Sequence, residues 1–140
     1  MNIGFLGLGK LGLPVSLAVE SKGHNVFGYD ISKQTLDDIK NRKIKYREEW
    51  VDKYLPNTNL EITNIDNLVK KSEIIFVPIQ TPHDPLYEGV TRIPKERVDF
   101  DYSYLISGMK RLSQEIESQG KDKVVIIIST VLPGTIRKKI

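Results

Sequence analysis

The chain contains no cysteine among its 140 residues, and it has only two histidines and one tryptophan. The absence of cysteine excludes disulfide bonds, thiolate metal ligands and a cysteine nucleophile from these residues. His24 and His83 are far apart in sequence and fit no metal-ligand spacing. No Ser/His/Asp set is evident either. The sequence therefore predicts neither a metal centre nor a nucleophilic triad.

Long hydrophobic runs and a large excess of one charge are also lacking. No apolar stretch approaches the ~18 residues of a membrane-spanning helix, and the N-terminus lacks the basic region of a signal peptide. The formal charge is only +3, and the densest basic run, residues 40–47, leads directly into Glu48 and Glu49. We therefore expect a cytoplasmic protein that binds neither nucleic acid nor a membrane surface.

Strand patterns alternate with helical patterns along the whole chain, which has the length of one domain. We expect helix caps at Ser32, Asn64 and Asp101. The last strand pattern is a continuous apolar run typical of a parallel strand buried on both faces. The order predicts an α/β fold, a Rossmann-like, doubly wound, mostly parallel sheet over residues 1–140, with ligands at the carboxyl ends of its strands. Strands are predicted at residues 2–9, 24–30, 60–63, 73–79 and 123–129, and helices at 10–23, 31–43, 48–57, 64–72 and 102–120, with a further helix starting in 130–140.

The segment between the fourth strand and the following helix, residues 80–101, has no regular pattern. Loops of this length are usually functional or disordered. It begins with Thr81 and Pro82 directly after the strand, where a hydroxyl could reach a ligand, although a simple turn is the alternative. Ser129 and Thr130 follow the last strand in the same carboxyl-end layer, and they could also cap the next helix.

The motif G-x-G-x-x-G, formed by Gly7, Gly9 and Gly12, lies between the first strand and the first helix. Gly7 permits the tight turn, Gly9 lets the backbone approach a pyrophosphate, and Gly12 lets helix and strand pack closely. Unpaired amides at the helix N-terminus then face the anion. Asp30 closes the second strand 18 residues after Gly12, near the ~20 expected of a ribose-binding acid. Because its carboxylate would repel a 2'-phosphate, the pattern predicts NAD rather than NADP.

Four segments follow one another along the chain: "GLGKLGLPVSLAVESKGHNVFGYDI", "IIFVPIQTP", "VDFDYSYL" and "VVIIISTVLPGT". In this order they resemble the nucleotide-sugar 6-dehydrogenases, the UDP-glucose and GDP-mannose dehydrogenase group. The resemblance implies an NAD-dependent enzyme that oxidises the C6 alcohol of a UDP- or GDP-sugar to a carboxylate in two hydride transfers, with two NAD per turnover. It also implies that this chain is the NAD-binding domain of a longer, homodimeric enzyme. The family's catalytic cysteine, lysine and asparagine come from later parts, so the chain alone should not oxidise sugars.

The resemblance also implies a role for individual residues. Asp30 matches the ribose acid, and Thr81 matches the threonine beside the cofactor. Thr130 matches the threonine that touches NAD and helps to position the water used in the second half of the reaction. It is the one catalytic candidate in this chain, and it would act through hydrogen bonding because a threonine hydroxyl is too weakly acidic to be a free base. The residues matching the pyrophosphate turn are Gly7, Gly9, Lys10, Leu11 and Gly12.

The chain departs from the family pattern at several positions. Lys10 stands where the family often has an aromatic residue; its ammonium either adds to the attraction for a diphosphate or points into solvent. Thr35 stands where a basic residue is common, although Lys33 is nearby. Two alternatives are an NAD-binding domain of the β-hydroxyacid dehydrogenase type, which lacks the "VPIQTP" to "DYSYL" arrangement, and a non-catalytic NAD-sensing module.

Overall fold

The computed structural model describes residues 1–90, 92 and 94–140. In these residues the strands are β1 (Asn2–Leu6), β2 (Asn25–Tyr29), β3 (Glu61–Ile62), β4 (Ile74–Val77) and β5 (Val124–Ile127), and the α-helices are α1 (Gly12–Glu20), α2 (Lys33–Lys40), α3 (Glu49–Tyr54), α4 (Ile65–Lys71), α5 (Ser103–Gln119) and α6 (Thr135–Lys139). The five strands form one sheet in the order β3-β2-β1-β4-β5, and every neighbouring pair is parallel. The predicted Rossmann-like, doubly wound sheet is thus confirmed.

Helices cover both faces of this sheet, and each face has its own hydrophobic cluster. Successive residues of a strand point to opposite faces, so β1 contributes Phe5 to the cluster under α1, α2 and α3, and Leu6 to the cluster under α4 and α5. The Phe5 ring stacks on Phe76 with 5.3 Å between ring centroids. Strand order reverses between β1 and β4, and this switch point opens a crevice at their carboxyl ends.

The predicted helix caps are confirmed at two of three positions. The side chains of Ser32 and Asn64 accept hydrogen bonds from the first-turn amides of α2 and α4. α5 begins one residue later than expected, so Tyr102 rather than Asp101 is its N-cap residue. Asp101 nevertheless accepts a hydrogen bond from the N–H of Ser103 (2.9 Å), because a carboxylate one residue outside the cap still reaches the first free amide.

The prediction that the last strand is buried on both faces is wrong for the described residues. β5 pairs with β4 alone and lies at the edge of the sheet. Val125 and Ile127 pack against the cluster under α5, whereas the side chain of Val124 is 57% exposed. An apolar run shows which residues avoid water, but it does not show whether a second strand pairs with the other edge of that strand.

In the segment 80–101, the described residues contain a single 3-10 turn, Pro85–Tyr87, with the Asp84 carboxylate accepting from the N–H of Leu86. Thr91 and Ile93, which the irregular segment was predicted to include, lie outside the described residues. No helix in the described ranges combines the length and the apolar character needed to cross a membrane.

Candidate functional site

A cleft of about 820 Å³ opens at the carboxyl ends of β1, β2, β4 and β5. Its volume is that of a site for a small molecule or cofactor. The turns after these parallel strands meet at one edge of the sheet, and they bring together predicted residues from four distant parts of the chain. Gly12, by contrast, is buried and does not line the cleft. The predicted residues that line it are Gly7, Gly9, Lys10, Leu11, Asp30, Thr81 and Thr130.

Each glycine of the G-x-G-x-x-G turn has a distinct geometry. Gly7 has a φ of 120°, which only glycine adopts easily, and its N–H donates to the carbonyl of Tyr29 (2.7 Å). A Cβ on Gly9 would meet no atom within 4 Å, so its backbone faces open space. A Cβ on Gly12 would lie 2.1 Å from the carbonyl oxygen of Gly7. The turn therefore leaves free space beside Gly9, whereas the backbone of Gly7 packs directly against Gly12.

The backbone after Gly7 presents free hydrogen-bond donors to this open space. Among the described residues, no protein acceptor receives the N–H of Gly9, Lys10 or Leu11. These amides precede α1, a helix of nine residues whose dipole places partial positive charge at its N-terminus. Leu11, the last of the three residues, is itself 48% exposed. The arrangement can hold an anionic group such as a diphosphate.

Asp30 joins the two turns at the end of β1 and β2. Its Oδ2 accepts a hydrogen bond from the N–H of Leu8 and its Oδ1 accepts one from the N–H of Ser32, each at 2.8 Å. An ionised carboxylate has about four acceptor sites, so capacity for the hydroxyls of a ribose remains. Sequence reasoning identified the acid but missed this second role, which holds the carboxylate in one orientation at the cleft. Thr35 also lines the cleft, whereas Lys33 does not.

The hydroxyls after β4 and β5 tie the two strand ends together. Thr81 Oγ1 donates to the carbonyl oxygen of Thr130 (2.7 Å), and Ser129 Oγ donates to that of Val77 (3.1 Å). The hypothesis that Ser129 or Thr130 caps α6 is wrong. Gly134 is the N-cap residue of α6, and no side chain of the described residues accepts a capping hydrogen bond from this helix. Thr130 is exposed, and its hydroxyl has no hydrogen bond within the described residues. That hydroxyl is free to contact a ligand.

The turn that carries Thr130 is also held by a hydrogen bond to the N-terminus of α5. The Tyr102 hydroxyl, on a side chain only 4% exposed, accepts from the N–H of Leu132 (3.2 Å). Beside it, Lys139 Nζ lies 2.7 Å from Asp99 Oδ2. The hydrogen bond from Lys139, aided by one from Tyr102, holds the pKa of Asp99 below its ordinary value. The Tyr102 hydroxyl thus ties Leu132 of this turn to the N-terminus of α5, and the Lys139–Asp99 pair ties α6 to the segment that precedes α5.

Sequence reasoning missed one wall of the cleft, which is a face of α5. Four of its residues follow the spacing i, i+3, i+4 and i+7 and all line the cleft. The helix approaches closely because Gly108 has no side chain: a Cβ there would lie 2.3 Å from Ile79 Cδ1. The signal available in the sequence was this polar stripe beside the apolar stripe of the same helix. The four residues are Tyr104, Ser107, Gly108 and Arg111.

Known proteins match this chain over nearly all of its length. A family model described as "UDP-glucose/GDP-mannose dehydrogenase family, NAD binding domain" matches residues 1–140. Protein CapL of Staphylococcus aureus is 31% identical over 133 residues, which cover 95% of this chain and 28% of CapL. UDP-N-acetyl-D-mannosamine dehydrogenase of Pyrococcus horikoshii is 29% identical over 145 aligned residues, which cover 99% of this chain and 30% of that protein.

Solved structures show the same fold. A ternary complex of GDP-mannose dehydrogenase from Pseudomonas aeruginosa superimposes with a TM-score of 0.80 at 24% identity, covering 99% of this chain and 30% of that one. The chain therefore spans about three tenths of the length of the relatives it matches.

Proposed function

Because this chain belongs to the UDP-glucose/GDP-mannose dehydrogenase family, as its NAD-binding domain, we propose that residues 1–140 hold the cofactor of a longer enzyme. This enzyme oxidises the C6 alcohol of a UDP- or GDP-sugar to a carboxylate. The observation that carries the proposal is the cleft, where the open glycine turn, an oriented acid and two threonines line one continuous surface. The family match favours this function over the β-hydroxyacid dehydrogenase type.

The residues of the cleft fit a dinucleotide from one end to the other. The free amides of Gly9, Lys10 and Leu11 suit the pyrophosphate, and the remaining acceptor sites of Asp30 suit the adenosine ribose. Thr81 and Thr130 lie at the ends of β4 and β5, where they would contact the nicotinamide half. When bound, NAD supplies the acceptor for the hydride that leaves the sugar carbon.

Thr130 is the residue of this chain that we propose to act nearest to the chemistry. Its free hydroxyl can donate to and accept from a water molecule, and so hold the water in position for the second oxidation. Thr81 supports Thr130 indirectly, because the hydroxyl of Thr81 donates its proton to the backbone carbonyl of Thr130. With no cysteine in the chain, we propose that the family's catalytic thiol, the sugar-binding residues and the contacts of a homodimer come from segments outside residues 1–140.

Titration of the chain with NAD tests the proposed function. We expect saturable binding in isothermal titration calorimetry, and at a free NAD concentration of 100 Kd a stabilisation of about 2.7 kcal/mol in thermal or urea unfolding. NADP is the comparison ligand. The absence of both a binding isotherm and a shift in unfolding, in a chain that shows cooperative unfolding, would contradict the proposal.

The contribution of Lys10 can be measured by its salt dependence. Lys10 lines the cleft beside the free amides, yet its side chain is exposed to solvent. We expect Lys10→Ala to weaken NAD binding by no more than about three-fold at low ionic strength, and the difference to disappear above about 0.5 M salt, because an exposed charge is strongly screened. A loss that persists in high salt would instead indicate a direct contact with the diphosphate.

A further inference from the structure

Arg111 is a cation on the wall of the cleft with no assigned role. It is the last of the four cleft-lining residues of α5. Its guanidinium lies over the ring of Tyr29, with Cζ 5.8 Å from the ring centroid. Among the described residues it forms no ion pair with a carboxylate. A planar cation that faces an aromatic ring and lines a ligand cleft is suited to stacking on a second flat ring.

The position of Arg111 along the cleft follows from its partner. Tyr29 immediately precedes Asp30, the proposed ribose acid, so Arg111 lies at the end of the cleft where the adenosine is held. Ile31 immediately follows Asp30 and also lines the cleft, and its side chain is 82% exposed. Ile31 is therefore an exposed apolar side chain at the cleft, directly beside the acid.

The exposed side chain of Ile31 and the guanidinium of Arg111, both near Asp30, favour a ligand group with flat faces and little charge. Ile31 offers apolar surface that would leave water when covered, and the guanidinium offers a charged plane. A neutral aromatic heterocycle attached to the ribose satisfies both walls, whereas a phosphate would satisfy only the arginine.

We propose that Arg111 stacks on the adenine ring of NAD, with Ile31 as the apolar wall of the same adenine subsite. The inference rests on the proposed function, because it takes the adenosine ribose to be held by Asp30. Arg111 thus contributes to dinucleotide affinity from a helix that carries none of the residues of the glycine motif. Its interaction with Tyr29 orients the guanidinium before the ligand arrives, which lowers the entropic cost of binding.

Binding measurements on Arg111 variants test the proposal. For Arg111→Gln we expect NAD and 5'-AMP to bind about two- to five-fold more weakly, which corresponds to one exposed cation-π contact. Nicotinamide mononucleotide, measured by competition, is expected to bind unchanged, because it lacks the adenine. Lys110→Gln is the matched control, since Lys110 is the preceding exposed cation of α5 and does not line the cleft.

Salt and the conservative variant separate stacking from phosphate pairing. The ratio between wild-type and Arg111→Gln affinities should persist at 0.5 M salt, because stacking is only weakly screened. Arg111→Lys keeps the charge but loses the plane, so it should recover only part of the affinity. Equal NAD affinity in Arg111→Gln, full recovery in Arg111→Lys, a ratio that collapses in salt, or an equal loss for nicotinamide mononucleotide would each overturn the inference. If the wild-type chain fails to bind NAD, the proposed function itself is contradicted, so the two failures are distinguishable.

Discussion

Gly12→Ala is expected to lower the free energy of unfolding by about 3 kcal/mol or to prevent folding altogether. The new Cβ would lie 2.1 Å from the carbonyl oxygen of Gly7 and 2.9 Å from both the carbonyl carbon of Gly7 and Cγ of Pro78. Two of these atoms belong to the backbone of the turn, so no side-chain rotation relieves the clash. α1 would have to move away from the end of β1. Urea unfolding followed by circular dichroism measures the loss.

Gly9→Ala is the matched control for this substitution. Both variants add one methyl group to the same turn, but the Cβ at position 9 meets no protein atom within 4 Å. We expect Gly9→Ala to change the free energy of unfolding by less than about 1 kcal/mol and to weaken NAD binding at least ten-fold, because the methyl group occupies the space in which the pyrophosphate approaches the backbone. A stable Gly12→Ala chain, or an unimpaired NAD affinity in Gly9→Ala, would contradict these assignments.

Asp30→Ala is expected to weaken NAD binding by about ten- to a hundred-fold, since hydrogen bonds to a charged group contribute about 1.5–3 kcal/mol. The same change should narrow the preference for NAD over NADP, because the carboxylate that repels a 2'-phosphate is gone. It also removes the acceptor of the N–H groups of Leu8 and Ser32, so part of the loss comes from a disordered turn. Isothermal titration with both dinucleotides measures the two effects.

Two further variants divide the role of Asp30 into its parts. Asp30→Asn keeps the shape of the residue and one acceptor oxygen, so it should preserve one of the two backbone hydrogen bonds while still reducing discrimination against NADP. Asp84→Asn is the control. Asp84 likewise accepts a hydrogen bond from the backbone N–H two residues later in the chain, that of Leu86, but it does not line the cofactor cleft. We expect it to leave both affinities unchanged. Equal affinity of the wild-type chain for NAD and NADP would contradict the ribose assignment.

The parts of the site that were predictable from the sequence depend on short-range rules. The G-x-G-x-x-G turn needs only the six residues from Gly7 to Gly12, and Asp30 follows at the distance set by one helix and one strand. Thr81 and Thr130 were placed in the same layer because parallel strands end at one edge of a sheet. The structure brings Gly7, Gly9, Asp30, Thr81 and Thr130 into one cleft, whereas Leu8 and Gly12 are buried outside it.

The parts that were missed depend on which surfaces meet. The polar stripe of α5 that ends at Arg111 is indistinguishable, in sequence, from a stripe facing water, because nothing local shows that the ends of β2 and β4 lie opposite. The two backbone hydrogen bonds of Asp30 and the bond from Thr81 to Thr130 likewise join residues whose distance only folding determines. The apolar run of β5 showed a strand but not its position at the sheet edge.

The sequence by itself thus determined the alternation of strands and helices and the glycine turn, and it predicted a phosphate site and a preference for NAD, because these follow from residue spacing within one βαβ unit. Only the tertiary structure decided that Gly12 lies buried outside the cleft, that Asp30 holds two turns, and that α5 supplies the far wall with Arg111. The physical reason is that a side chain's partners across a cleft are set by the packing of whole elements, and that packing depends on contacts between residues far apart in the chain.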